Sequence, residues 1–79
     1  RRLTGHDEYL YNSAGWAYAE VGDHETALRW LRAGIDVVLA NGDYDRLADQ
    51  LLEMAQRSLW ALGRAPDDEL TRRVHAFEA

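Results

Sequence analysis

Tyr11-Asn12-Ser13-Ala14-Gly15-Trp16-Ala17-Tyr18, closed by Gly22-Asp23 and answered by Ala27, Leu31 and Gly34, is the stretch whose reading decides the fold. Large side chains at 11 and 18 flank a small pair at 14 and 15. Beyond Gly22-Asp23 the order is reversed, with small residues at 27 and 34 flanking Leu31. Steps of three, four and seven residues place each set on one face of a helix. Two helices joined at Gly22-Asp23 can approach closely at Ala14, Gly15, Ala27 and Gly34, while Tyr11, Tyr18 and Leu31 fill the spaces beside them.

Working outward, the sequence predicts four helices, over 6–21, 24–40, 44–62 and 67–78. Thr4 is the expected cap of the first, and Asp7 and Glu8 suit the positive end of its dipole. Gly22 stops it and Asp23 caps the second. Ala27, Leu31, Gly34, Ile35, Val38 and Leu39 make the buried stripe of the second helix. Asn41-Gly42 ends it, Gly being free to take the left-handed conformation. Asp43 caps the third helix, whose stripe is Leu47, Leu51, Met54, Ala55, Leu59 and Leu62, and Gly63 closes it. Pro66 forbids continuation, and Asp67-Asp68-Glu69 open the fourth helix, where Leu70, Val74 and Phe77 share a face. No segment alternates at period two, so the fold class is all-α. Links of about two to five residues make consecutive helices antiparallel neighbours.

The chain has 79 residues, enough for a single domain over 1–79. A chain this short buries only about 60% of its unfolded surface, so the three Trp, four Tyr and one Phe matter to its core. Apolar residues at 47% and charged residues at 29% read as globular. The net charge of −5 disfavours nucleic acid and anionic membrane surfaces as partners. All nine basic residues are Arg, which reads as compositional bias rather than a functional signal. The absence of Cys excludes disulfides and thiolate chemistry, and a reducing cytoplasm is the default location. No apolar run reaches the roughly 18 residues of a membrane span. The opening Arg1-Arg2-Leu3, without Met, fits a domain of a longer chain with further repeats outside it.

Tyr11, Ala14-Gly15, Tyr18, Gly22-Asp23, Ala27 and Leu31 together resemble one tetratricopeptide repeat, a helix–turn–helix unit of about 34 residues. The resemblance covers roughly residues 8–41, with Leu39 standing where the family's Pro would fall. Shifted by one repeat, Ala48 meets Ala14, but Asp49 meets Gly15 and does not permit the same approach. The third and fourth helices therefore read as a drifted repeat or a closing cap, which must turn a polar face to solvent. An unrelated α-hairpin would account for the same spacing.

In that family the first helix of each repeat lines a concave binding face. Carried over, the resemblance implies a partner-binding set of Tyr9, Asn12, Ser13, Trp16 and Glu20, with Arg46, Asp49, Gln50, Glu53 and Arg57 on the third helix. Asn12 can bond a peptide backbone through its amide, and Tyr9 and Trp16 offer flat apolar contact. The competing reading buries Trp16 against the third helix. Gripping a C-terminal carboxylate is not expected, because the first helix has no basic residue. Glu53 and Arg57, four apart, read as a solvated surface pair. Trp30 and Trp60 are expected in the core; if exposed instead, they would form an apolar surface needing a cover.

Catalysis and cofactors are not expected. His6 and His24 sit at opposite ends of the first helix, about 25 Å apart at ~1.5 Å per residue, and cannot share a metal. No Ser/His/Asp motif, paired-carboxylate site or phosphate loop stands out. The sequence thus leads to a non-enzymatic, cytoplasmic scaffold that binds a protein or peptide partner through its first and third helices. The alternative is a self-associating assembly domain of a larger regulatory protein.

Overall fold

A computed structural model describes the backbone of residues 5–41 and 47–78, and the side chains of residues 10–40 and 47–76. The described residues form four α-helices and no strand: α1 (Gly5–Glu20), α2 (His24–Asn41), α3 (Leu47–Ala61) and α4 (Asp68–Glu78). The protein is all-α. The expected caps Thr4, Gly42 and Asp43 lie outside the described residues, as does the 44–46 start expected for the third helix.

Three expected helix ends move inward for local reasons. Val21 falls in the turn, because Gly22 adopts φ +85° and reverses the chain there. Gly22 N–H donates to Ala19 C=O at 3.0 Å and Asp23 N–H to Tyr18 C=O at 2.9 Å, so the last carbonyls of α1 are satisfied by the turn itself. Leu62 falls in an equivalent turn at Gly63, φ +73°, where Gly63 N–H bonds Trp60 C=O at 3.0 Å and Arg64 N–H bonds Leu59 C=O at 2.9 Å. Asp67 stands outside α4 as its cap, its Oδ1 accepting from Leu70 N–H at 3.0 Å. Asp23 does the same for α2, accepting from Thr26 N–H at 3.2 Å.

The core lies where α2 and α3 face each other. Leu28, Leu31, Ile35 and Val38 of α2 meet Leu47, Leu51, Ala55 and Leu59 of α3, and Leu70 and Val74 of α4 close one side. Leu39, Met54 and Leu62, expected within the stripes, are only partly buried at its margin. The side chain of Phe77 lies outside the described ones.

α1 is held to α2 by small-against-large contacts. A Cβ placed on Gly15 would lie 2.7 Å from Leu31 Cγ, and one on Gly34 would lie 2.7 Å from Tyr11 Cβ. Residue numbers rise along α1 as their partners' numbers fall along α2, so the two helices run in opposite directions. Gly34 against Leu51, and His24 Nδ1 bonded to Ser58 Oγ at 3.2 Å, give α2 and α3 the same opposed sense. Tyr18, expected to fill space beside the small residues, is 39% exposed instead. Gly15 already receives Leu31, and Tyr18 is left on the outer side of the pair.

α4 is fastened by polar contacts around Asp67. Gln56 of α3 accepts from Asp67 N–H at 3.0 Å and donates to Thr71 Oγ1 at 2.8 Å. Arg32 of α2 donates to the Asp67 carboxylate at 3.2 Å, and Arg73 of α4 to Asp36 of α2 at 2.7 Å. One amide and two guanidinium groups thereby place a short helix whose apolar face is only two described residues deep.

Candidate interaction surfaces

Asn12, Trp16 and Glu20 recur at four-residue steps along α1, with Ser13 beside Asn12. Trp16 is 58% exposed, which excludes its burial against α3. Ser13 and Glu20 are also exposed, and Asn12 is half-buried. Among the described residues the Asn12 Oδ1 is shut from solvent and lacks a hydrogen-bond partner. Tyr9, the fifth expected residue, has its side chain outside the described ones. Trp16 projects because Gly15 and Ala19 take the positions against the core, and a residue one step beyond Gly15 is turned by about 100° from it.

On α3, Gln50, Glu53 and Arg57 are exposed and Asp49 is half-buried, while Arg46 lies outside the described residues. Arg57 donates to Glu53 at 3.2 Å with both side chains largely in solvent, the surface pair that the spacing implied. α1 and α3 touch, so the two sets belong to neighbouring helices.

Trp60 is 83% exposed and Trp30 is 38% exposed, against the expectation that both belong to the core. The reason is angular. Leu59 and Leu31 hold the stripe positions at 3% and 0% exposure, and each Trp is displaced from that stripe by one residue. The displacement is visible in the sequence and would have marked both indoles as peripheral.

Two open grooves run beside these indoles. One, of about 480 Å³, lies between α3 and α4 and is lined by Leu52, Gln56, Trp60 and Thr71 with the charged Asp49, Glu53 and Arg57. The Gln56 amide in it is already engaged by Asp67 and Thr71. The other, of about 340 Å³, lies between α1 and α2 and is lined by Tyr11, Thr26, Arg29, Trp30 and Ala33. There the Tyr11 and Trp30 rings meet with centroids 5.8 Å apart and planes inclined by 55°. Sequence reasoning missed the α3–α4 groove because the seat of α4 depends on Gln56 and Arg32, residues without a distinctive pattern.

Hydrogen bonds shift the titration of three groups near the α1–α2 turn, Asp23, Glu25 and Arg64. Hydrogen bonds from Thr26, its hydroxyl first and its backbone N–H second, hold the Asp23 carboxyl below its ordinary value of 3.8. The hydrogen bond from Arg64 holds Glu25 below its ordinary 4.5 and raises Arg64 in turn. Ser58, bonded to His24, is 1% exposed, and a hydroxyl so enclosed offers no approach to a substrate. Among the described residues no group of three or more His, Asp and Glu is placed to hold a metal ion, and no helix is long and apolar enough to cross a membrane.

No protein-family model, curated protein or solved structure matches the chain.

Proposed function

We propose that this domain is a non-enzymatic interaction module, similar to a tetratricopeptide repeat, that holds a peptide or helix of another protein through α1 and α3. The observation that carries the reading is the exposure of Trp16 at 58% and Trp60 at 83%, beside a core whose aliphatic side chains are 0–8% exposed. The chain has aliphatic residues enough to fill its core and still leaves two indoles in water. Large aromatics in that state are typical anchors for a partner, contributing contact area at little entropic cost. The close approaches at Gly15 and Gly34 support the repeat-like reading, since they are the contacts its small residues would serve. A cytoplasmic location belongs to the same reading.

Self-association is the second reading. It is favoured by the further exposed apolar residues, Leu10, Tyr18 and Val21 at 62%, 39% and 78% and Trp30 at 38%. Sedimentation over a wide concentration range separates the two. A mass that doubles with concentration supports assembly, and a constant monomer mass supports a foreign partner. For the first reading, Trp16→Ala and Trp60→Ala proteins that stay folded should lose what the wild type retains.

A further inference from the structure

α1 is apolar on more than its core side. Tyr11, Gly15 and Ala19 face α2 and the core. The opposite side carries Leu10, Ala14, Ala17 and Val21, whose steps of four, three and four residues make a single stripe. Val21 lies past the helix end yet keeps the helical turn, its N–H donating to Ala17 C=O at 3.3 Å. Leu10 and Val21 are the most exposed members, Ala17 is exposed and Ala14 half-buried. A helix with apolar residues on both sides is built to be covered on both sides. Among the described residues α2 and α3 are the elements that touch it, and they leave this stripe in water.

The stripe reads the same in both directions: large, small, small, large. Positions 10 and 21, and positions 14 and 17, are equally distant from the midpoint between residues 15 and 16. Two antiparallel copies related by a twofold axis at that midpoint set each Leu10 against Val21 of the second copy and each Ala14 against its Ala17. The alanines let the helix axes approach, and the larger side chains close the two ends of the seam.

Charge favours the same occupant and the same direction. From residue 10 to residue 21 Glu20 is the only charged residue, so the −5 of each copy stays off the seam and a partner selected by charge finds nothing on it to select. Antiparallel pairing holds the two Glu20 about 14 Å apart along the axis, beyond a screening length of about 8–10 Å, whereas parallel pairing sets them together. The 16 residues of α1 span about 24 Å, and a seam of that length buries on the order of 1,000 Å² in total, the lower end for a specific interface. The pair should therefore be reversible at micromolar concentrations.

Resting on the self-association reading, we infer that two copies of this chain pair antiparallel through the outer stripe of α1. Trp16 lies roughly 120° round the helix from that stripe, and Trp60 belongs to α3, so pairing leaves both indoles open to a foreign partner.

The test is sedimentation of the intact 79-residue chain from low micromolar to millimolar concentration, at low and high salt, together with cross-linking. The expected result is a monomer that becomes a dimer, with its midpoint several-fold lower at high salt because the repelling net charges are screened. Ala17→Glu, at an exposed position, should raise the midpoint at least about tenfold, and Trp16→Ala should leave it unchanged; circular dichroism confirms that each is folded. The chain has no Cys, so introduced thiols report the register. Leu10→Cys mixed with Val21→Cys should be joined by a short thiol cross-linker, while either variant alone should not, since like positions lie about 16 Å apart along the seam. A monomer mass at every concentration overturns both the inference and the self-association reading. A dimer indifferent to Ala17→Glu, or cross-links between like positions alone, overturns the α1 seam and keeps the self-association reading. Growth beyond the dimer overturns the closed pair in favour of open assembly.

Discussion

Gly34 and Tyr11 are packed so closely that a Cβ on the glycine would lie 2.7 Å from the tyrosine Cβ. Both positions are fixed by backbone, so no rotamer change relieves the contact. Gly34→Ala must push α1 away from α2. Overpacking of this kind costs about 1–3 kcal/mol, and the better helix propensity of Ala returns about 1 kcal/mol. The expected outcome is a net loss of up to about 2 kcal/mol in urea unfolding. Gly15→Ala should cost less, since it meets the flexible end of Leu31 rather than a Cβ. Equal losses at the two positions would contradict the packing described.

Asp67 caps α4 through Leu70 N–H and receives Arg32 from α2. Asp67→Ala removes a cap worth about 1 kcal/mol and a surface ion pair worth about 0–1 kcal/mol. The loss should be local. Amide hydrogen exchange is expected to quicken over α4 while the amides of α2 and α3 keep most of their protection.

Trp16→Ala and Trp60→Ala should each change thermal stability by less than about 0.5 kcal/mol, as substitutions at exposed sites do. Leu51→Ala, at 0% exposure in the core, should cost about 2–5 kcal/mol and unfold a large fraction of so small a domain. Scanning calorimetry or chemical denaturation of the three variants distinguishes the surface indoles from the core.

Acid should destabilise the fold through Asp23 and Glu25. Their carboxyls are held below 3.8 and 4.5 by Thr26 and Arg64, so the unfolded chain takes up protons at these positions first. The stability they lend is complete above those ordinary values and is lost as pH falls through them to the lower folded values. The melting temperature should be level with respect to these groups above about pH 5 and fall below pH 4. Glu25→Gln should make that acid limb shallower; an unchanged limb would remove the Glu25–Arg64 pair from the account.

What the sequence disclosed here was mainly local. Gly22 and Gly63 stop helices because positive φ is needed within four residues of the bonds they complete, and Asp23 and Asp67 cap because a short acceptor is needed at that step. The centres of the α2 and α3 stripes were legible from spacing, but Leu28 and Leu52, also buried, fell outside the expected set and Leu39, Met54 and Leu62 lie at the margin. The exposure of Trp30 and Trp60 could be read from their one-residue displacement from Leu31 and Leu59, but that of Tyr18 could not, because apolarity states what a side chain prefers and not whether a neighbour remains to cover it. The seat of α4 was equally hidden, since it depends on Gln56 and Arg32 meeting residues 11 and 35 positions away. Of the expected binding set, Trp16, Ser13 and Glu20 reach solvent, whereas Asn12 is half-buried with its carbonyl oxygen enclosed.

The most direct test of the interaction-module account is quantitative affinity capture from the cells that make the protein, comparing wild type with folded Trp16→Ala and Trp60→Ala. The account predicts a partner retained by the wild type and depleted on at least one indole variant. Identical retention on all three proteins would contradict it.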